Sequence, residues 1–198
     1  MKCIHTIHIR RPIRTAVAVF ALAAVPAGAV AVPTYAAPTT TTTAAAGCAT
    51  GWGSLPEAST WQGAGQLTNV RTGRHACFDR IVFDVKGKPS WLRAHYVTNF
   101  ATVGEGKLIP ARGGAKLEII LLVPSYDDEY RPTYEPADYD ELTNVSGYRT
   151  FRQVVSEGSF EGETSIGVGV RARLPFRVFT LTGPGDTGRV VVDVAHTW

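Results

Sequence analysis

Helical periodicity is the first thing missing from this 198-residue chain. Beyond its N-terminal leader no window holds a sustained apolar stripe at i, i+3 and i+4, which argues against a helical bundle or an alternating α/β fold. Metal-ligand spacing is missing as well. Only three histidines follow the leader, His75, His95 and His196, and they come with neither an H-x-x-x-H nor a C-x-x-C pair. No local pair therefore nominates zinc. There is no G-x-S-x-G elbow to expose a serine nucleophile. Asp79 lies close enough in sequence to His75 to form a dyad, but nothing nominates a serine to go with it. Basic residues interleaved with aromatics, the footprint of nucleic-acid binding, are lacking too. These absences predict a chain that is not an enzyme, carries no cofactor or metal and does not bind nucleic acid.

What is present begins with an export signal. Lys2, Arg10, Arg11 and Arg14 form a basic n-region, and Thr15 to Val25 is an apolar run too short to span a bilayer. Residues 1–37 are expected to be a signal peptide, cleaved near residue 29 or residue 36, at small-x-small sites. Residues 38–47, rich in Thr and Ala, lack the apolar content to pack and predict a linker. A domain over residues 48–198 remains, long enough for a proper core. Its charge differs from that of the whole chain. The formal +3 includes the leader's four basic residues; without them, 16 basic side chains face 17 acidic ones.

Cysteine is scarce, and what remains is suggestive. Cys3 departs with the leader, leaving Cys48 and Cys77. A disulfide suits an exported chain, and closing a loop of about 30 residues would stabilise by roughly 3.5 kcal/mol in the chain-entropy picture. Lipidation is the alternative, because Ala45-Ala46-Gly47-Cys48 resembles a lipobox. Position −3 is Ala rather than Leu, however, and the cysteine lies well past the apolar run, so the disulfide is preferred.

Short β-rich runs separated by turn residues fill the domain. They are Gln66–Arg71, Ala76–Val85, Trp91–Thr98, Lys116–Val123, Tyr148–Val155, Ser165–Arg173, Phe176–Leu181 and Arg189–Val194. Glu161-Gly162-Glu163 and Gly183-Pro184-Gly185-Asp186 read as hairpin turns. Eight or nine strands of this kind predict an all-β protein, a β-sandwich of two sheets. Two of them share a phrase: Asp79–Val85 is D-R-I-V-F-D-V and Gly188–Val194 is G-R-V-V-V-D-V. With a period of two, Ile81, Phe83 and Val85 share a face, as do Val190, Val192 and Val194. Arg80 and Asp84, and Arg189 and Asp193, fall on the opposite faces. Each pair is two pleats apart, so the charges are expected to pair with neighbouring strands instead, in a structural role. The two phrases are expected in equivalent or adjacent strands.

The stretch Tyr126–Glu141 breaks this rhythm with seven acidic residues, four tyrosines and two prolines. It cannot be a central strand. Its acidic residues offer the oxygens that calcium prefers, but not in the D-x-[DN]-x-[DN]-G order. Tyr126, Tyr130, Tyr134 and Tyr139 could instead stack on sugar rings; a solvated loop is the plainer reading. A second candidate is the Gly-containing turn Arg71-Thr72-Gly73-Arg74-His75, where Arg71, Arg74 and His75 could receive a carboxylate or phosphate. Here too a solvated turn competes.

Gly51-Trp52-Gly53-Ser54, the run Leu67–Val85 and the run Arg173–His196 together resemble the AMIN-like domain proteins, a family of secreted or lipid-anchored actinobacterial proteins. The closing R-V-V-V-D-V after its Pro-containing turn also resembles, more distantly, the last strands of the amidase N-terminal (AMIN) domain. The resemblance implies a β-sandwich in envelope proteins and localisation by binding wall polymer. The functional expectation is thus a secreted, envelope-associated module that recognises peptidoglycan or another wall polysaccharide. A secreted structural domain that engages a protein partner through its sandwich edges or loops is the alternative.

Overall fold

The computed structural model describes residues 47, 48, 50–60 and 63–198. The leader and nearly all of the linker fall outside the described residues. The strands are β1 (Glu57–Thr60), β2 (Gly65–Arg74), β3 (Phe78–Gly87), β4 (Trp91–Val97), β5 (Phe100–Ala101), β6 (Leu108–Ile109), β7 (Ala115–Leu121), β8 (Phe151–Phe160), β9 (Glu163–Val170), β10 (Phe176–Thr182) and β11 (Thr187–Ala195). Nine of them form two antiparallel sheets, ordered β1-β4-β7-β9-β8 and β10-β11-β3-β2, and β5 and β6 make a separate small hairpin. The expected β-sandwich is what forms. Among the described residues no helix is long and apolar enough to cross a membrane.

Alternation builds the core. Ile81, Phe83 and Val85 of β3 and Val190, Val192 and Val194 of β11 are buried, and they meet Leu117, Ile119 and Leu121 of β7 and Ile166, Val168 and Val170 of β9. The register of β4, open in the sequence, is settled by fully buried Leu92 and Ala94. Burying so much β-branched surface supplies most of the drive for the two sheets to stack, at about 25 cal/mol per Å² of apolar surface. The β8–β9 turn takes positive φ at Glu161 (50°) and Gly162 (86°), which matches the twist of a tight hairpin.

Several boundaries differ from the sequence reading. β2 continues through Gly73 to Arg74, so the expected turn there is strand paired to β3. β8 starts at Phe151 rather than Tyr148, because residues 142–150 belong to a long connection. Strand β1, which the sequence pattern did not reveal, pairs with β4 and extends the larger sheet.

The two related phrases lie side by side. β3 and β11 are antiparallel in a register that sets Arg80 opposite Asp193 and Asp84 opposite Arg189. Antiparallel pairing of two strands with Arg and Asp four residues apart brings unlike charges together at both ends. At one end Arg80 holds Asp193 through Nε and Nη2, at 2.6 and 2.9 Å. At the other, Asp84 is held not by Arg189 but by Arg71 of β2, at 2.7 and 3.0 Å.

Cys48 and Cys77 form the preferred disulfide, which commits the Cys48 sulfur and overrides the lipidated alternative. Nearby, Asp79 accepts hydrogen bonds from the backbone N–H groups of Thr150 and Phe151 and lies 3.1 Å from His196 Nε2. Asp79 is fully buried. It pairs with His196, not with His75 as the sequence suggested, and it ties the long connection to the end of β11.

Candidate functional site

The connection between β7 and β8 carries the tyrosine-rich stretch, and its own side chains hold it. Asp127 accepts from the backbone N–H of Glu129 and Arg131 and from Arg131 Nε. These bonds, that of the Arg131 backbone first, hold the Asp127 carboxyl below its usual range. Thr133 Oγ1 donates to the carbonyl of Leu67, and the backbone N–H of Ser156 donates to the carbonyl of Tyr139. The loop is thereby fastened to β2 on one side and to edge strand β8 on the other.

This fastening gathers all four tyrosines around one cleft of about 260 Å³, with Ser156 and Ser159 on its wall. Tyr126 and Tyr130 stack with ring centroids 5.6 Å apart, and Tyr126 Oη accepts from the Gly162 N–H. Tyr130 holds its ring outward from a backbone at φ 59°. Tyr134 packs against the main core, and burial pushes its hydroxyl up to about 12. Tyr130 and Tyr139 are 81% and 55% exposed, so two ring faces are open to a ligand. Aromatic faces beside hydroxyl groups are what a sugar ring needs, since its axial C–H face is apolar and its rim is polar.

The acidic side chains of the loop do not converge. Asp127 and Glu129 pair with Arg131, Glu141 pairs with Arg112, and Asp138 accepts from the Asp140 backbone N–H. Among the described residues no group of three or more His, Cys, Asp or Glu side chains is placed to hold a metal.

The second sequence candidate is not assembled. Residues three apart on a strand point to opposite faces, and Arg71 and Arg74 are separated in this way. Arg71 binds Asp84, Arg74 lies over the Tyr148 ring at 5.9 Å, and His75 stacks on Phe78 at 4.4 Å. Strand continuation through Gly73 is the physical reason.

Two side-chain groups escaped the sequence reading. On the outer face of the four-stranded sheet, Arg177 joins Arg80 on Asp193 at 2.8 Å. The Arg177 guanidinium lies 4.4 Å from the Trp52 ring centroid and 5.1 Å from that of Phe179; Arg80 is 5.2 Å from Phe78. The F-R-V-F order of residues 176–179 was the available signal, because it sets Arg177 and Phe179 on one face. On the outer face of the other sheet, His95, Glu118 and Glu157 meet beneath the β5–β6 hairpin. His95 Nε2 is 3.3 Å from Glu118, while His95 Nδ1 and Glu157 Oε1 are buried without partners. Burial first, and then the neighbouring Glu118, raise the Glu157 carboxyl to about 8. No sequence signal links these three, which come from separate strands.

No curated protein matches this sequence. A family model described as AMIN-like domain matches residues 65–196, from the first residue of β2 to the histidine that pairs with Asp79. With two-thirds of its length matched, the chain belongs to the AMIN-like domain family.

Proposed function

We propose that this protein is a non-catalytic, exported module of the cell envelope that binds a wall polysaccharide, with peptidoglycan glycan as the first candidate. The observation that carries the reading is the convergence of Tyr126, Tyr130, Tyr134 and Tyr139 on one cleft, two of them with exposed rings. The AMIN-like family, the disulfide and the basic, apolar leader sequence all support an extracellular setting. His75, His95 and His196 sit in separate surroundings, stacked on Phe78, beside Glu118 and against Asp79 respectively. That distribution supports binding rather than turnover.

Sugar binding by stacking has a direct test. The full chain is mixed with purified cell-wall sacculi, stripped of covalently attached anionic polymers, and sedimented. Co-sedimentation is the expected result, and Tyr130→Ala with Tyr139→Ala should weaken it about thirtyfold, since each stacked aromatic contributes about 1 kcal/mol. Full retention of the chain in the supernatant at moderate salt would refute the reading.

A further inference from the structure

The outer face of the four-stranded sheet carries a charge pattern that the tyrosine cleft does not use. At the Asp84 end, a cleft of about 400 Å³ opens between β2, β3, β11 and the Gly183–Thr187 turn. Arg71, Lys86 and Arg189 line it, and Asp84 is the one carboxylate among its walls. Asp84 is already engaged bidentately by Arg71. Arg189 donates to the carbonyl of Thr182 at 3.2 Å and has no ion-pair partner among the described residues. Lys86 is exposed. The hydroxyls of Thr68 and Thr187 complete the rim.

Four residues along the same strands, about 13 Å at ~3.3 Å per residue, lies the second cationic centre. There Arg80 and Arg177 share the single carboxylate of Asp193, which is fully buried. One guanidinium charge is therefore uncompensated. Both guanidinium groups are held by aromatic rings, which fixes their orientation before any ligand arrives. The two centres sit in a domain whose acidic side chains outnumber its basic ones, so their cationic excess does not simply follow from the overall charge.

We propose that this face is a second binding site, for an anionic polymer whose repeating phosphodiester or carboxylate groups reach both the Arg71–Lys86–Arg189 cleft and the Arg80–Arg177 centre. Guanidinium forks and an ammonium suit either group, and a polymer gains from occupying both centres at once. The site is independent of the tyrosine cleft.

The test uses the full chain and two probes, inorganic polyphosphate for the phosphate chemistry and polygalacturonate for the carboxylate chemistry, with neutral dextran as control. Titration calorimetry at 0.1 M salt should show binding to at least one polyanion, with affinity falling steeply as salt rises. Which probe binds identifies the source, and dextran should not bind. Lys86→Gln with Arg189→Gln should weaken the interaction about tenfold, whereas Arg93→Gln with Lys107→Gln, on the other sheet and the hairpin, removes equal charge without that effect. Both pairs should sediment with stripped sacculi as the unmodified chain does, which separates this site from the tyrosine cleft. Absence of binding to both polyanions, a loss smaller than threefold in the Lys86/Arg189 variant, or an equal loss in the control variant overturns the proposal.

Discussion

Asp193 and Glu157 are both buried carboxyl groups facing away from the main core, one on each sheet, and the protein treats them in opposite ways. Asp193 lies under two guanidinium groups and receives hydrogen bonds on both oxygens. Glu157 has another carboxyl, Glu118, as its neighbour, a single long hydrogen bond from the Ala101 N–H and one oxygen with no partner. The first is a paired charge; the second escapes the cost of burial by holding its proton well above the usual carboxylate range. Their covers differ accordingly. Half-exposed Arg and aromatic side chains overlie Asp193, whereas the β5–β6 hairpin closes over Glu157 with Phe100, Ile109 and Val155 as a small apolar cluster. Phe100 fits there because Gly167 below it has no side chain: a Cβ would lie 2.8 Å from the ring. One outer face is thus available for recognition, whereas on the other the hairpin seals the patch around Glu157.

The contrast can be broken from either side. The largest effect should come from Phe100→Ala, which opens a cavity in the sealed patch; a loss of about 3–4 kcal/mol is expected by urea denaturation. A loss below about 1 kcal/mol would mean that the hairpin contributes little to its cover. Asp193→Ala should follow at about 3 kcal/mol, because it leaves two guanidinium groups without their shared anion. That value sits at the low end for a broken buried pair, since the Arg80 and Arg177 side chains are 23% and 42% exposed.

Glu157 should reveal itself through pH. Its carboxyl titrates near 8 in the folded chain and near 4.5 when unperturbed. Between those values the folded state holds a proton that the unfolded state has released, so stability should fall as pH rises from about 4.5 to about 8. Glu157→Gln should flatten that decline and leave the protein more stable than the unmodified chain at pH 9. Thermal melts across pH 5–9 would show it, and an unchanged slope would contradict the proton-holding account. The smallest effect belongs to Asp84→Asn. Its partner Arg71 is 48% exposed and the pair is open to solvent, so a change under about 1 kcal/mol is expected. The same substitution should strengthen polyanion binding at the neighbouring cleft, which calorimetry would detect.

Much of the scaffold was legible because it depends on period-two alternation. The inward faces of β3 and β11, the two hairpin turns and the exclusion of Tyr126–Glu141 from the sheets all followed from local pattern. The four tyrosines could be named as a group, since they lie within one loop, although their meeting at a single cleft depends on bonds to β2 and β8. The turn reading of Arg71–His75 failed for a related reason. Gly73 is compatible with a turn, but pairing with β3 carries the strand on to Arg74.

Sequence by itself therefore determined the all-β class, the core faces and the two cysteines available to bond, because alternation and composition act over a few residues or over the whole chain. Tertiary structure decided the rest. Register set Arg80 against Asp193, and although it also faces Asp84 with Arg189, the neighbouring strand β2 supplies the Arg71 that takes that carboxylate. Strand order brought His95, Glu118 and Glu157 together and carried Arg177 onto Asp193. Charge pairing and proton retention depend on distances of a few ångströms between residues tens of positions apart, and such distances exist only once the sheets have formed.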